Sequence, residues 1–144
     1  MSVQPIPEGF SAVSPYLAVA NVRSTIEFLK KAFDAEELSL HAMPDGRIMN
    51  AILKIRGCTV FFGEVTEANK AWPAMLYMYV ADVDAAFKKA VNAGGKTVME
   101  PQDMYYGERS GAVEDPSGNQ WWMASHIEEM SDEELIRRAV EKGK

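Results

Sequence analysis

Hydrophobic and polar positions follow the same order twice along this chain. The stretch Tyr77–Gly95 has the pattern of a buried strand, a one-residue hinge and a helix with one apolar face. Tyr16–Phe33 repeats this layout earlier in the chain, with Asn21 matching Asp82 as the residue that caps each helix. An internal repeat of this kind predicts that the protein consists of two similar halves.

Period-two alternation and helical spacing predict a strand, a helix and three further strands in each half. In the first half we expect the helix at about 22–33 and the strands at about 11–20, 36–43, 47–55 and 58–63. In the second half we expect the helix at about 83–93 and the strands at about 75–80, 96–100, 108–114 and 120–127. A loop rich in Met and Tyr is expected at 101–107. The fold class is therefore α+β, with two βαβββ modules.

The segment 64–73 separates the two halves. Its sequence, EVTEANKAWP, is polar and ends in Pro, which predicts a linker. Module one then covers about 11–63 and module two about 74–127, and we expect both to belong to one domain over 1–144.

A third helix is predicted after the second module. Ser131-Asp132-Glu133-Glu134 has the pattern of a capping box, so this helix should begin near residue 132 and end near residue 142. Its apolar positions form one stripe: Leu135, Ile136, Ala139 and Val140. We therefore expect the helix to pack against the rest of the chain.

Composition and charge exclude several classes of function. The chain has 144 residues, 47% of them hydrophobic and 25% charged, which is typical of a globular domain with its own core. A net charge of −6 argues against nucleic acid and anionic membranes as partners. The single Cys58 excludes an internal disulfide and fits a reducing cytoplasm. Neither a membrane span of roughly 20 apolar residues nor a secretory signal is legible, so we expect a cytoplasmic protein.

Two stretches, VADVDAAFKKAVNAGG and EDPSGNQWWM, carry a resemblance to a known family. The duplicated unit and the Asp-Pro-x-Gly-Asn turn resemble the vicinal oxygen chelate superfamily, which includes glyoxalase I, extradiol dioxygenases, fosfomycin-resistance enzymes and bleomycin-binding proteins. MPDGRIMNAILKI and MYYGERSGAVEDPSGNQWWMASHIEEMS resemble its PhnB-like branch more narrowly. The resemblance covers nearly the whole chain. It implies that each module curls a mixed sheet around a cleft, with the helices on the other face.

The resemblance also implies four positions at which metal-dependent relatives hold an ion. In this chain they are occupied by Ser14, Phe62, Met75 and Trp122. PhnB-like relatives often carry His where this chain has Ser11 and Asn50. A divalent transition metal needs imidazole, carboxylate or thiolate ligands, which none of these residues supplies. We therefore predict no cofactor and no metal, with a divalent metal on atypical ligands as the disfavoured alternative.

Strand alternation predicts which side chains line the cleft. The inward-facing set is Ser14, Tyr16 and Ala18; Asn50; Val60, Phe62 and Glu64; Met75, Tyr77 and Tyr79; and Gln120, Trp122, Ala124 and His126. An aromatic cleft with a few polar points is the usual composition of a small-molecule pocket. The alternative is that these rings fill the hollow or form the core of a dimer.

Three charged or titratable side chains have open roles. His126 could be a general base at the mouth of the cleft, or a surface or capping residue. Arg109 could clamp an anionic ligand, or form a surface salt bridge. Glu64 together with His126 could form a displaced two-ligand metal site. His41 is expected to be exposed.

Three functions are compatible with the sequence. The favoured hypothesis is metal-independent binding of a small, flat or apolar molecule, as in the bleomycin-resistance proteins that the chain resembles. The alternatives are a glyoxalase- or dioxygenase-type enzyme with unusual metal ligands, and an interaction scaffold without a site. The resemblance implies a homodimer. The predicted ligand-binding residues are Ser14, Tyr16, Asn50, Phe62, Met75, Tyr77, Tyr79, Arg109 and Trp122.

Overall fold

Each half of the chain forms a four-stranded mixed sheet with a helix packed on one face. The computed structural model describes residues 4–143. The chain divides into two compact units, Met1–Ala74 and Met75–Lys144, which correspond to module one and module two with its C-terminal helix. The α+β class and the twofold βαβββ order predicted from the sequence are confirmed.

Module one places its strands in the order β1-β4-β3-β2. Its elements are β1 (Tyr16–Val19), α1 (Val22–Phe33), β2 (Glu36–Ala42), β3 (Ile48–Ile55) and β4 (Cys58–Glu64). β1 and β4 are parallel, and the other neighbours are antiparallel. The first and last strands of the module therefore lie side by side, although they are distant in sequence.

Helix α1 begins and ends where its flanking residues favour it. The Asn21 side chain accepts a hydrogen bond from the Ser24 N–H at 3.0 Å, and Asp34 ends the helix in the left-handed conformation with φ 55°. Val22, Ile26 and Leu29 lie on one face of α1 and are at most 2% exposed. α1 packs on β3 and β4, so one face of the first sheet is buried beneath it.

Module two repeats this arrangement with the strand order β5-β8-β7-β6. Its elements are β5 (Met75–Tyr79), α2 (Val83–Asn92), β6 (Lys96–Asp103), β7 (Glu108–Glu114) and β8 (Gln120–His126). β5 pairs with β8 in parallel, as β1 pairs with β4. Asp82 caps α2 by accepting the Ala85 N–H at 3.1 Å, in the role that Asn21 has in module one.

The Asp-Pro-Ser-Gly-Asn turn before β8 is organised by a buried carboxylate. Asp115 is 3% exposed, and its Oδ1 accepts the N–H groups of Ser117 at 2.8 Å and Asn119 at 3.0 Å. Its Oδ2 accepts the indole N–H of Trp121 at 2.9 Å. One side chain thus closes the turn and fixes the first core residue of β8, which gives this motif a structural purpose.

Two predicted strand boundaries are wrong. The first strand begins at Tyr16 and not near residue 11; before it, the Ser11 N–H bonds the Thr59 hydroxyl at 3.3 Å and not a backbone oxygen of the ladder. β6 continues to Asp103, past the predicted end at 100 and into the expected loop. The register of β6 against β7 shifts on either side of Met99, and these irregularities accommodate Pro101 within the strand.

The third helix, α3 (Asp132–Glu141), is joined to the preceding segment through Arg138. Arg138 donates to the Tyr105 carbonyl oxygen at 3.1 Å and pairs with Glu128 at 2.8 Å. The predicted packing of the whole apolar stripe is wrong in part, since Ile136 is 62% and Val140 68% exposed. No helix within residues 4–143 has the length and apolar character that a membrane span requires.

Candidate functional site

The pairing of β5 with β8 places the aromatic residues of module two on one face of the sheet. Met75, Tyr77 and Tyr79 are opposite Gln120, Trp122 and Ala124. β7 adds Glu108, Ser110 and Ala112 opposite His126, Ala124 and Trp122. We call this set of ten side chains the open face of module two, because α2 packs on the other side. The residues of β5 and β8 that strand alternation predicts to share one face do lie opposite one another in this ladder.

The open face of module two presents large apolar side chains to solvent. Met75 is 62%, Tyr77 42% and Tyr79 58% exposed, and Trp122 is half-buried beside them. The indole N–H of Trp122 donates to the side-chain oxygen of Gln120 at 3.0 Å, which fixes the plane of the ring. The face therefore offers accessible ring surface to a ligand.

A glutamate joins the two tyrosines of this face. The Tyr77 hydroxyl donates to Glu108 Oε1 at 2.5 Å, and the Tyr79 hydroxyl donates to Glu108 Oε2 at 2.5 Å. The tyrosine rings are nearly perpendicular, with centroids 5.8 Å apart and an interplanar angle of 81°. Ser110 Oγ lies 3.3 Å from the Tyr77 hydroxyl. We call Tyr77, Tyr79 and Glu108 the tyrosine–glutamate cluster.

Burial and the shared carboxylate keep both phenols in the neutral form. Burial raises the pKa of Tyr77 far above its ordinary value of 10.0, and the hydrogen bond to Glu108 raises it further. The pKa of Tyr79 is raised mainly by its hydrogen bond to Glu108. Negative charge on Tyr106 would oppose ionisation of both phenols, so this residue lies near the cluster. Both phenols therefore act as hydrogen-bond donors at neutral pH.

We expect an alkaline titration to leave Tyr77 neutral after ordinary phenols have ionised. A pKa raised above the unfolded value of 10.0 means that the folded state keeps a proton which the unfolded state loses. The free energy of unfolding should therefore be unaffected by this group below about pH 10 and should fall as the pH rises further. Ultraviolet phenolate absorbance measures the ionisation, and Glu108→Gln should bring the late phenol closer to normal. The prediction is wrong if the phenol that disappears in Tyr77→Phe is one that ionises near pH 10, because Tyr77 would then titrate as an ordinary tyrosine.

In module one, aromatic side chains also gather on the sheet face that α1 does not cover. Tyr16 pairs with Phe61 across β1 and β4, and their rings are stacked with centroids 6.1 Å apart. Phe10, from the segment before β1, contacts Phe61 from 6.1 Å. A cavity of about 550 Å³ lies between the segment 5–14 and the side chains of Ile52 and Phe61. This volume is in the range of small-molecule sites.

Two predicted polar residues of module one are engaged with neighbours. Ser14, which lines the cavity, shares a 2.5 Å hydrogen bond with the buried Thr59 hydroxyl. Asn50 is half-buried, and its side-chain oxygen lies 2.8 Å from His41 Nδ1. Asn50 is on the same face as Ile52 by strand alternation, and His41 is exposed as predicted.

The predicted face of Phe62 is wrong. Phe62 pairs with Leu17 on β1 and with Ala51 on β3, and all three side chains are buried on the face beneath α1. Its neighbour Phe61 takes the position that corresponds to Trp122, since Phe61 pairs with Tyr16 as Trp122 pairs with Tyr77. The predicted inward set Val60, Phe62 and Glu64 is displaced by one residue. A shift of one position exchanges the two faces of a strand.

Gly63 lies directly against the ring of Tyr16. A β-carbon at Gly63 would collide with the Tyr16 hydroxyl and lie 3.3 Å from the Met49 carbonyl oxygen. We expect Gly63→Ala to lower the free energy of unfolding by about 1 kcal/mol, because the half-exposed Tyr16 ring must move to admit the methyl group. Chemical denaturation measures this change.

The control for this prediction is the Tyr16→Phe background. Removing the hydroxyl leaves space near residue 63, so Gly63→Ala should cost less there than in the natural chain. Equal costs in the two backgrounds would show that the Tyr16 hydroxyl does not limit this position.

Arg109 is not on the open face. Its guanidinium bonds both carboxylate oxygens of Asp84 on α2 at 2.8 Å and Asp103 on β6 at 3.0 Å. Asp84 and then Asp103 raise its pKa, and Arg109 in turn lowers the pKa of Asp84. Of the two roles predicted for Arg109, the structure shows the salt bridge. The guanidinium is occupied by carboxylates of its own chain, so Arg109 does not belong to the ligand-binding residues of the open face.

His126 and Glu64 are each engaged within their own module. His126 Nε2 lies 2.8 Å from Glu129 Oε1, and both side chains are more than half exposed. Glu64 Oε1 accepts the Ile48 N–H at 2.9 Å and thereby supports the start of β3. These contacts correspond to the surface role predicted as one alternative for His126. Neither contact brings Glu64 and His126 together as the two-ligand metal site would require.

The residues present do not fit the divalent metal that the family implies. The four expected positions hold a hydroxyl, a phenyl ring, a thioether and an indole, and replacing Phe62 by Phe61 leaves this chemistry unchanged. Over residues 4–143, no group of three or more His, Cys, Asp or Glu side chains could hold a metal ion. These four positions do not suit a divalent transition metal, because they include no imidazole, carboxylate or thiolate.

Sequence reasoning missed Glu108 on the open face of module two and Phe61 on the sheet face of module one that α1 does not cover. Glu108 begins the strand 108–114 that the sequence predicts, but its face depends on the register against β8. Applying the internal repeat to the last strand of each half would have matched Phe61 with Trp122. The sequence signal is the repeat that matches Tyr16 with Tyr77, and in the structure these two residues pair with Phe61 and Trp122.

The chain belongs to the superfamily that its fold indicates. A family model described as the Glyoxalase/Bleomycin resistance protein/Dioxygenase superfamily matches residues 11–123. The uncharacterized protein Rv0887c of Mycobacterium tuberculosis is 35% identical over 135 residues, which covers 86% of this chain and 79% of that protein. The superfamily resemblance found in the sequence is thereby confirmed, and the PhnB-like branch stays a prediction.

Solved structures show the same fold. TioX from Micromonospora sp. ML1 has a TM-score of 0.69 and 25% identity, covering 81% of this chain and 99% of that one. The fosfomycin resistance protein FosX from Listeria monocytogenes has a TM-score of 0.61 and 16% identity, covering 87% of this chain and 97% of that one. The likeness to FosX extends to the fold alone.

Proposed function

We propose that this protein binds a small, flat or apolar molecule on the open face of module two without the help of a metal ion. The observation that carries the proposal is the accessible ring surface of Tyr77, Tyr79 and Trp122 around the carboxylate of Glu108. Rings of this kind supply contact area at low conformational cost, and a few fixed polar groups orient the ligand. The aromatic cavity of module one is a second surface with the same character.

Binding without metal is favoured over metal-dependent catalysis by the donor chemistry of the chain. A glyoxalase- or dioxygenase-type step needs a Lewis acid held by nitrogen, oxygen or sulfur ligands. The positions that relatives use for this purpose offer Ser14, Met75, Trp122 and an aromatic ring on β4. These side chains suit stacking and apolar contact, so sequestration of a ligand accounts for them better than chelation does.

The test combines metal analysis with a binding screen on the purified full-length chain. We expect no stoichiometric zinc, nickel, manganese or iron, and we expect flat aromatic compounds to raise the melting temperature equally before and after treatment with a chelator. A bound metal in stoichiometric amount, or binding that disappears on chelation and returns with metal, would favour the enzyme hypothesis. A broad panel without any stabilising compound would favour the scaffold hypothesis.

A homodimer and a cytoplasmic location also belong to this proposal. The exposed Met75 and Tyr79 are apolar surface that a second subunit or a ligand could cover. Light scattering during gel filtration distinguishes a dimer from a monomer. The exposed, single Cys58 is compatible with a reducing compartment.

A further inference from the structure

The carboxylate of Glu108 brings negative charge to the tyrosine–glutamate cluster. Glu108 accepts hydrogen bonds from both phenols, so it acts as an acceptor only, which is the behaviour of an ionised carboxylate. Among residues 4–143, no Lys, Arg or His forms an ion pair with Glu108. His126, the strand partner of Glu108, is directed to Glu129 instead.

The cluster also offers a ligand hydrogen-bond acceptors and no free donors of its own phenols. The phenol protons of Tyr77 and Tyr79 are already donated to Glu108, so what the cluster offers a ligand is acceptor oxygen. Ser110 Oγ, buried beneath the cluster, lies near Tyr77 and adds another oxygen. A ligand that carries only acceptors would find no matching donor here, whereas an N–H donor would find several oxygens.

The surrounding rings favour the same kind of ligand. Tyr77 and Tyr79 meet almost at a right angle, with 5.8 Å between centroids, and Trp122 lies opposite Tyr77 on β8. The faces of tyrosine and tryptophan rings attract a cation that lies within about 6 Å of the centroid. Rings and carboxylate thus act in the same direction on a positively charged group.

We infer that the ligand of this face is a flat or apolar molecule carrying a protonated amine, with the amine placed at the Glu108 carboxylate, beside the two tyrosine rings. This inference rests on the proposed function and narrows it to cationic ligands. The charged nitrogen donates to the carboxylate and phenol oxygens, and the apolar body lies along Trp122. The net charge of −6 adds a weaker, screened attraction over the whole surface.

Three probes that share a naphthalene ring test the charge preference. Naphthylmethylamine is a cation at neutral pH, naphthalenemethanol is neutral, and naphthoate is an anion. Calorimetric titration of the full-length protein at low salt should show the amine binding about tenfold more tightly than the alcohol, and naphthoate binding most weakly. Raising the salt concentration should weaken binding of the amine and leave that of the alcohol nearly unchanged.

Glu108→Gln identifies the group responsible for the preference. This change removes the charge and keeps the size of the side chain, so the amine should lose its advantage while the alcohol still binds within about threefold of its original affinity. Retained binding of the alcohol also shows that the variant is folded. The matched control is Glu114→Gln, at the opposite end of β7 on the same face, which should keep the preference of the natural chain.

The outcomes separate this inference from the proposed function. Equal binding of amine and alcohol, tighter binding of naphthoate, or a preference that survives in Glu108→Gln would overturn the inference and leave aromatic binding standing. Absence of binding by all three probes and by the wider aromatic panel would overturn the proposed function, and the inference with it. If Glu108→Gln does not fold, the order of affinity of the amine, the alcohol and naphthoate in the natural chain still tests the preference for a cation, and equal binding of the three would overturn the inference.

Discussion

Replacing Trp122 with alanine is expected to weaken binding of an aromatic ligand about thirtyfold, as measured with naphthalenemethanol. Trp122 lies at the centre of the open face of module two, between β5 and β7, and its ring is fixed by the hydrogen bond to Gln120. Truncating a central aromatic anchor typically costs about 2 kcal/mol, which corresponds to roughly thirtyfold in Kd. A ring that is already oriented loses little entropy on binding, so most of its contact energy reaches the ligand.

Trp72 supplies the matched control for this experiment. It is 82% exposed and lies before β5, outside the strands that form the open face. Trp72→Ala removes the same side chain and should change the affinity by less than about twofold. Similar losses in the two variants would mean that the ligand does not select the open face, and an unchanged affinity in Trp122→Ala would place binding elsewhere.

The largest effect on stability is expected for Asp115→Ala. This change removes three hydrogen bonds in a buried turn, including the one to the indole of Trp121. Hydrogen bonds to a charged group are worth about 1.5–3 kcal/mol each, and their losses overlap because water enters part of the site. We therefore expect the free energy of unfolding to fall by about 3 kcal/mol, which chemical denaturation at constant m-value would measure.

Asp45→Ala is the control for the role of a turn aspartate. Asp45 also braces a turn, accepting the Arg47 N–H and side chain at 3.0 Å, but both partners are exposed. An exposed ion pair contributes little, so this variant should lose far less stability than Asp115→Ala. Equal losses at positions 45 and 115 would show that burial of the Asp115 carboxylate is not what makes the second turn important.

The fold could be predicted because the patterns that determine its helices and strands are local in sequence and occur twice along the chain. The helix caps at Asn21 and Asp82 and the apolar face of α1 each depend on residues within a few positions of one another. The repeat of strand and helix then fixed the order of the elements. The start of the first strand was predicted wrongly, since the residues before Tyr16 make contacts that are distant in sequence, such as the bond from the Ser11 N–H to the Thr59 hydroxyl 48 positions away.

The candidate site could be predicted only in part, because its composition depends on strand register. Tyr77, Tyr79 and Trp122 were placed together since their strands alternate clearly, whereas β4 has two adjacent phenylalanines and alternation cannot choose between them. Glu108 went unnoticed because its partners lie 29 and 31 positions away, beyond any local pattern. Arg109 next to it was chosen for its chemistry alone, without knowledge of Asp84 on the facing helix.

The hydrogen bonds from Tyr77 and Tyr79 to Glu108 also tie β5 to β7 across the intervening strand. β5 is the terminal strand of its sheet and shares a ladder with β8 only, so this side-chain bridge gives it a second attachment. β6, the terminal strand on the opposite side, has an interrupted register instead. Amide hydrogens of β5 should therefore exchange with solvent more slowly than those of β6. Local opening of this sheet should occur mainly at β6, the edge away from the tyrosines.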